Sequence, residues 1–339
     1  MKTKELSDSW TSGLDRGDMK HAVCVLDGEG TIIDERAITS YRESLRRLGK
    51  KYPGARVALE VGMNIPWTSR FLKDLGLEVI VADARKLRAI YLIDRNSDEL
   101  DARLLAKLAR VEPSLLYPIE HGSEQAQRDL LQIKLRDNLV RQQVDIISSV
   151  RSALKSLGIR LPSPNTKCFA KQARALLGGE HAELLAMIEP SLGVIDELTL
   201  RIGELDWAIE ALCQERYPET ARLRQIRGVG PITALCFVLV VGHPDRFEQV
   251  REVAAYLGLV PKRDQSGGVD KKLSISKAGN AYMRRLLVGS AQYILGPFGE
   301  DCELRRQRLR LIERGGRGAK KKAVVATARK LSVEMLAMG

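Results

Sequence analysis

The sequence predicts a mixed α/β domain at the N-terminal end, long helices in the middle, and a mostly α, strongly basic C-terminal unit. Three observations predict it. Residues 12–82 alternate short β-branched runs with amphipathic helical stretches. Residues 125–157 contain neither Gly nor Pro and space their apolar residues (Leu130, Ile133, Val144, Ile147, Val150, Leu154) at helical intervals. Residues 301–339 hold eleven Lys/Arg against four Asp/Glu, more than half of the chain's net charge of +12 over 339 residues. The expected domains are 1–118, 119–217 and 218–339.

In order, Leu14 leads into Asp15, and His21 to Asp27 alternates as a strand. Gly28-Glu29-Gly30 turns the chain into a third strand, Thr31 to Ile38. Tyr41 to Lys50 reads as a basic helix, Arg56 to Glu60 as a buried strand, Trp67 to Leu75 as a helix and Leu77 to Ala82 as another strand. A basic segment, Arg85 to Arg88, precedes Arg95-Asn96-Ser97-Asp98-Glu99-Leu100-Asp101-Ala102, where an apolar helical pattern (Leu100, Leu104, Leu105, Leu108) begins. Three antiparallel strands followed by alternating helix and strand is the order of an RNase-H-like domain. Beyond it come the long helix 125–157, a break at Leu161 to Pro164, a helix at 167–177 and a periodic helix from Ser191 to Tyr217. These form an antiparallel hairpin or dimerising arm of the coiled-coil kind, or a plain helical linker.

Carboxylates carry the chemistry. Asp98 and Asp101 share a helix face, where they either hold a cation or complement the helix dipole. Asp15 and Glu60 stand at strand ends, where α/β sheets gather ligands. Together Asp15, Glu60, Asp98 and Asp101 are the candidate metal ligands, enough for two Mg²⁺ ions around a phosphoryl transfer. Asp18 is the runner-up for the first position. Asp27 reads as a turn residue, and Asp83 and Asp94 are set aside.

In the last unit, Leu223 to Ala234 (LRQIRGVGPITA) matches a helix-hairpin-helix turn, so Gly228, Gly230 and Thr233 are candidate phosphate contacts at a helix N-terminus. Pro261 to Gly268 is a basic loop carrying Ser266. Lys262, Arg263, Lys271, Lys272, Lys277, Arg284, Arg285 and the run Lys320, Lys321, Lys322 are the candidate nucleic-acid contacts. Sparse aromatics, 5%, argue against base stacking as the main binding device. Five scattered cysteines without a CxxC indicate neither a disulfide framework nor a zinc site. No apolar run reaches a membrane span, and the first ten residues lack a signal h-region. The expectation is a cytoplasmic, nucleoid-associated protein.

Together, GLDRGDMKHAVCVLD with Asp15, VALEVG with Glu60, SDELDA with Asp98 and Asp101, RGVGPITA, AAYLGLVPKRDQSGG and ISKAGNAYMRRLL resemble the DEDD insertion-sequence transposases of the insertion sequence one-hundred-and-ten family, the bridge-RNA-guided recombinases. The resemblance covers nearly the whole chain. It implies a RuvC-like domain, a coiled coil and a C-terminal transposase domain. It also implies recombination of target and donor DNA guided by a noncoding bridge RNA, and a homo-oligomer, a dimer or a DNA-engaged tetramer. It makes Ser266 the nucleophile, with Mg²⁺ on the four carboxylates. Two positions depart from the pattern. Asn96-Ser97 stands where Lys-Thr is commoner, and Gln265 where a second serine is often found.

Read from spacing alone, Ser266 is either a turn serine or a nucleophile needing activation by a metal held elsewhere. Two other functions fit the composition. One is a metal-dependent, junction-resolving nuclease using water. The other is a nonenzymatic DNA-binding protein.

Overall fold

The computed structural model describes residues 10–62, 64–83, 97–161, 165–266, 269–316 and 318–339, with the side chains of residues 16, 263–266 and 269–272 outside that description. The chain divides into two units, Met1–His121 and Gly122–Gly339. Residues 119–217 and 218–339, expected as separate domains, thus fall in one unit apart from 119–121.

The first unit is the expected mixed α/β domain. Its strands are β1 (Thr11–Arg16), β2 (Lys20–Leu26), β3 (Ile32–Thr39), β4 (Arg56–Glu60) and β5 (Glu78–Ala82), in the order β3-β2-β1-β4-β5. β1–β2 and β2–β3 are antiparallel, whereas β1–β4 and β4–β5 are parallel. The parallel pairs require crossovers, which α1 (Arg42–Lys51) and α2 (Ile65–Asp74) supply. The helix α3 (Asp98–Val111) follows.

Side-chain alternation splits the sheet into two faces. Leu14, Val57 and Leu59 pack with Leu45, Leu48 and Leu72 from α1 and α2. Ala58 and Ala82 pack with Leu105 and Ala109 of α3, and Ala22, Cys24 and Leu26 pack with its Ala102 and Ala106. Asp27 is the turn residue expected, since its carboxylate accepts from the N–H groups of Glu29, Gly30 and Thr31 at 3.0, 2.8 and 2.8 Å.

The second unit contains α4 (Glu124–Ser156), α5 (Phe169–Leu177), α6 (Ala182–Glu215), α7 (Thr220–Leu223), α8 (Pro231–Val241) and α9 (Glu252–Tyr256). Strands β6 (Pro261–Ser266) and β7 (Val269–Ile275) follow, then α10 (Ala281–Leu295), α11 (Glu303–Glu313) and α12 (Ala319–Met338). α4 and α6 run antiparallel: Asp129 pairs with Arg216 (2.9 Å), Arg136 with Asp206 (2.7 Å), and Gln143 Nε2 donates to Thr199 Oγ1 (2.7 Å).

Four expectations need correction. α6 begins at Ala182 rather than Ser191 and continues through Pro190, because Glu183 to Ile188 are strong helix formers on its near side. Residues 261–266 of the expected basic loop form a strand, β6, paired with β7 from Pro261↔Ile275 to Ser266↔Val269. The turn read as a helix-hairpin-helix has only a single helical turn, α7, before it. The basic C-terminal segment is not an appendage: Ala328, Leu331, Met335 and Leu336 of α12 lie in the same core as Leu235, Phe237, Met283 and Leu287. Among the described residues no helix is long and apolar enough to cross a membrane.

Candidate active site

Asp15 follows Leu14, and Glu60 follows Leu59, its register partner on the neighbouring parallel strand. Both lie at carboxyl ends of adjacent strands. Alternation from Gly13 and Ala58 puts both on the face that α3 covers.

α3 is aligned by three tethers. Near its C-terminal end, the Ala109 carbonyl accepts from Arg56 Nη1 (3.1 Å), at the start of β4. Arg110 Nη2 donates to the Gly28 carbonyl (2.7 Å), and Arg103 pairs with Glu35 of β3, Nη2 to Oε2 at 2.6 Å. That guanidinium holds the Glu35 carboxyl below the usual range. Mid-helix, the backbone lies directly on β1. A Cβ on Gly13 would collide with the Ala102 carbonyl oxygen and stand 2.5 Å from Ala106 N.

These fixed points set the helix direction. Its C-terminal half lies over the strand starts, so its N-terminus reaches the strand ends. Going from the Gly13 contact to Asp15 covers about 7 Å of strand. Going from Ala102–Ala106 back to Asp98–Asp101 covers about 7 Å of helix. Asp98 and Asp101 precede Ala102 and Leu105 by one turn, so they continue the stripe that faces the sheet. All four acidic residues are thus brought to one end of one sheet face. Ser97 caps the helix, its Oγ accepting from Leu100 N–H at 3.3 Å. The departure Asn96-Ser97 therefore includes a functional N-cap, with Asn96 itself outside the described residues.

Asp98 is exposed; Asp15, Glu60 and Asp101 are half-buried, and each of these three makes further interactions. Among the described residues no three His, Cys, Asp or Glu close into a ready metal cage. The donor set still fits Mg²⁺, which takes hard oxygens and is commonly held by one or two carboxylates with substrate phosphates completing the shell. Asp18, the runner-up, is exposed in the β1–β2 turn. Asp83 follows β5, its N–H donating to the Leu116 carbonyl. Asp94 and the basic segment 85–88 lie outside the described residues.

In the second unit, Ser266 is the last residue of β6, opposite Val269 of β7 and followed in sequence by Gly267-Gly268. The side chains of Ser266, Arg263, Lys271 and Lys272 lie outside the described residues, as do Gly267 and Gly268. Lys262 is exposed on β6. Gly228 has φ +81 and packs under α10, where a Cβ would meet Ile294 Cγ1 at 2.9 Å. Gly230 is exposed and precedes Pro231, the first residue of α8. Thr233 is 7% exposed among core residues of α8, so its side chain offers no open phosphate contact.

The segment Ser276–Asn280 is a tight strap. Lys277 adopts φ +56, and its N–H donates to the Gly258 carbonyl. Arg284 donates to the carbonyls of Leu257 (3.1 Å), Gly279 (3.2 Å) and Ala278. That guanidinium fastens the strap rather than facing outward as a free nucleic-acid contact. Arg285 pairs with Asp137 and covers the Tyr282 ring. Lys320, Lys321 and Lys322 are exposed in the first turn of α12, where cations oppose the helix dipole. Sequence reasoning passed over Gly13, whose signal was a lone glycine inside a strand pattern. It also passed over β6–β7, whose signal was Gly-Gly between two strand-length runs.

Two stretches of the chain match known transposase families. Residues 12–159 match a family model described as a transposase, the DEDD domain of the IS110 type. Residues 220–298 match the model described as Transposase IS116/IS110/IS902 family. The transposase for insertion sequence element IS1111A of Coxiella burnetii is 26% identical over 334 residues, 97% of this chain and 89% of that one. A probable family 20 transposase of Pseudomonas aeruginosa is 26% identical, over 84% of this chain and 83% of its own. The putative transposase y4rJ of Sinorhizobium fredii is 27% identical, over 98% and 88%.

Proposed function

Because the chain belongs to the IS110-family transposases, enzymes that cleave and rejoin DNA, we propose that it recombines an insertion sequence through a covalent Ser266–DNA intermediate, with Asp15, Glu60, Asp98 and Asp101 of a RuvC-like domain as ligands for Mg²⁺. The observation that supports this reading is the docking of α3 on Gly13, about one turn after Asp98 and Asp101 in the helix and two residues before Asp15 in β1, whose neighbour β4 ends at Glu60. Bound there with substrate phosphates, two Mg²⁺ ions would stabilise charge on the phosphoryl group and acidify the serine hydroxyl.

The chain's own residues supply the rest. Ser266 Oγ attacks phosphorus, the Oγ–P bond forms and the P–O bond to the leaving strand end breaks. The serine proton ends on the leaving sugar oxygen. Rejoining reverses the step with a different strand end. Ser266 at the end of a two-stranded hairpin can enter a groove without carrying core residues with it, and Lys262 lies exposed on the same strand. The serine and the carboxylates come from different units of the chain, so a homo-oligomer can supply them from different protomers. Sequence choice rests on a noncoding bridge RNA pairing with target and donor DNA, a division of labour in which protein reads shape and base pairing reads sequence. The resemblance to guided recombinases supports that element.

The test is Ser266→Ala with labelled donor and target DNA and Mg²⁺. The expected result is loss of recombination and of the denaturant-resistant protein–DNA adduct. Strand cleavage that persists without an adduct would replace this reading with water-based hydrolysis by a junction-resolving nuclease.

A further inference from the structure

Between α4 and the first turns of α10 lies a cavity of about 420 Å³ lined by Lys134, Asp137, Arg141, Ala281, Tyr282 and Arg285. Lys134, Asp137 and Arg141 project from one side of α4 at i, i+3 and i+7. The Asp137 carboxylate is shared: Oδ1 takes Arg285 Nη2 at 2.5 Å and Oδ2 takes Arg141 Nε at 3.1 Å. Arg285 also lies 4.8 Å from the Tyr282 ring centroid. The site therefore holds three cations to one carboxylate, and both arginines remain about half exposed or more, at 49% and 61%.

We propose that this cavity docks a DNA backbone phosphate with its adjoining sugar, Lys134, Arg141 and Arg285 contacting the phosphate while Asp137 holds the two guanidiniums aligned beforehand. The inference rests on the reading of the chain as a DNA transposase. Three observations carry it. A surplus of two positive charges lines one small concavity and favours an anion there. The volume lies in the range of small-molecule sites, about 300 to 1,000 Å³, room for one phosphate and its sugar. Within the same unit, the strand pair that ends at Ser266 continues through the strap 276–280 into α10, whose first turns line the cavity. A phosphate held there registers the DNA on the element that follows the nucleophile. Asp137 neutralises the guanidiniums in the free protein and competes with the phosphate for them, so removing its charge should tighten binding.

The test is fluorescence anisotropy with the full-length chain, a duplex DNA and an RNA hairpin of equal phosphate number, titrated from about 50 to about 200 mM salt. Each neutralised phosphate contributes about 0.9 to the log–log salt slope, so removing all three cations from the one docked phosphate, in Lys134→Gln/Arg141→Gln/Arg285→Gln, should lower it by about 0.9. Across that fourfold salt range the wild type then loses about 3.5-fold more DNA affinity than the triple variant. Asp137→Asn should bind DNA more tightly than wild type. Lys155→Gln/Arg160→Gln/Lys171→Gln, away from the cavity, should leave the slope unchanged. Arg141→Gln/Arg285→Gln, which leaves only Lys134 on the phosphate and should move the slope in the same direction by less than about 0.9, keeps the test open if the triple variant fails to fold. A folded variant with the wild-type DNA slope, or an effect confined to RNA, overturns the proposal. A wild-type chain that binds no duplex DNA would instead overturn the transposase reading beneath it.

Discussion

Replacing Gly13 by alanine adds one methyl group where β1 and α3 touch backbone to backbone. The new carbon would stand 2.5 Å from Ala106 N and 2.9 Å from Leu105 Cβ, and nearer still to the Ala102 carbonyl oxygen, whereas ordinary contact begins at 3.4 Å. None of the three is the end of a flexible side chain, so α3 itself must move, by about 1 Å. The stability cost of such overpacking is about 1–3 kcal/mol. The cost in activity is larger, because a misplacement of about 1 Å at a reacting centre is worth about 10²-fold, and α3 carries Asp98 and Asp101. The assay compares the Mg²⁺-dependent strand-cleavage rate with thermal stability and DNA affinity. The expected variant is folded, binds DNA normally and cleaves about 100-fold more slowly. Gly49→Ala is the control. Its nearest neighbour would be Leu75 Cδ1 at 3.3 Å, the tip of a side chain that can turn away, and alanine favours α1. A folded Gly13→Ala protein cleaving within about threefold of wild type would refute the idea that α3 is held in place through this contact.

Other changes have equally definite outcomes. Asp98→Asn or Asp101→Asn should lower cleavage by about 10³-fold, the worth of several kcal/mol of lost metal-assisted stabilisation, with DNA affinity nearly intact by anisotropy. Asp129 is 5% exposed and accepts from Arg216 (2.9 Å) and Tyr217 Oη (2.7 Å); Asp129→Ala should cost about 1–2 kcal/mol in chemical denaturation, since it leaves the Tyr217 hydroxyl without its acceptor while Arg216, 48% exposed, keeps its solvent. Burial, together with the hydrogen bond to Asp129, pushes the Tyr217 hydroxyl up to about 12. Its contribution to stability is thus full below the unfolded value near 10 and is lost as pH rises through about 12. Tyr217→Phe should flatten that alkaline loss in pH-dependent melting. Lys320→Gln/Lys321→Gln/Lys322→Gln should lower the DNA salt slope by up to about 2.7 while leaving the core face of α12 untouched.

The sequence by itself determined the kinds and order of the elements in the first unit. Strand and helix periods differ, and the turn at Asp27–Gly30 and the cap at Ser97 are chemical signals local to the chain. It also named the four carboxylates as candidates, because acidic residues at strand ends and in the first turn of a helix are readable from spacing. The chain's resemblance to a transposase family was legible in the same stretches. Only the tertiary structure decided that Asp15 and Glu60 share a face with Asp98 and Asp101. That depends on Gly13 admitting a helix backbone against β1 and on Arg56 and Arg110 fixing the helix direction, contacts that join residues far apart in the chain. The same holds for α12, whose lysines suggest a solvated tail while its Ala328, Leu331 and Met335 belong to the core. It holds also for Thr233, which the turn motif offered as a ligand, and Arg284, which the run of basic residues offered; packing buries the first and ties the second to backbone carbonyls. Local chemistry is written residue by residue; which side of an element meets which neighbour is settled by the summed burial of surfaces that no short stretch contains.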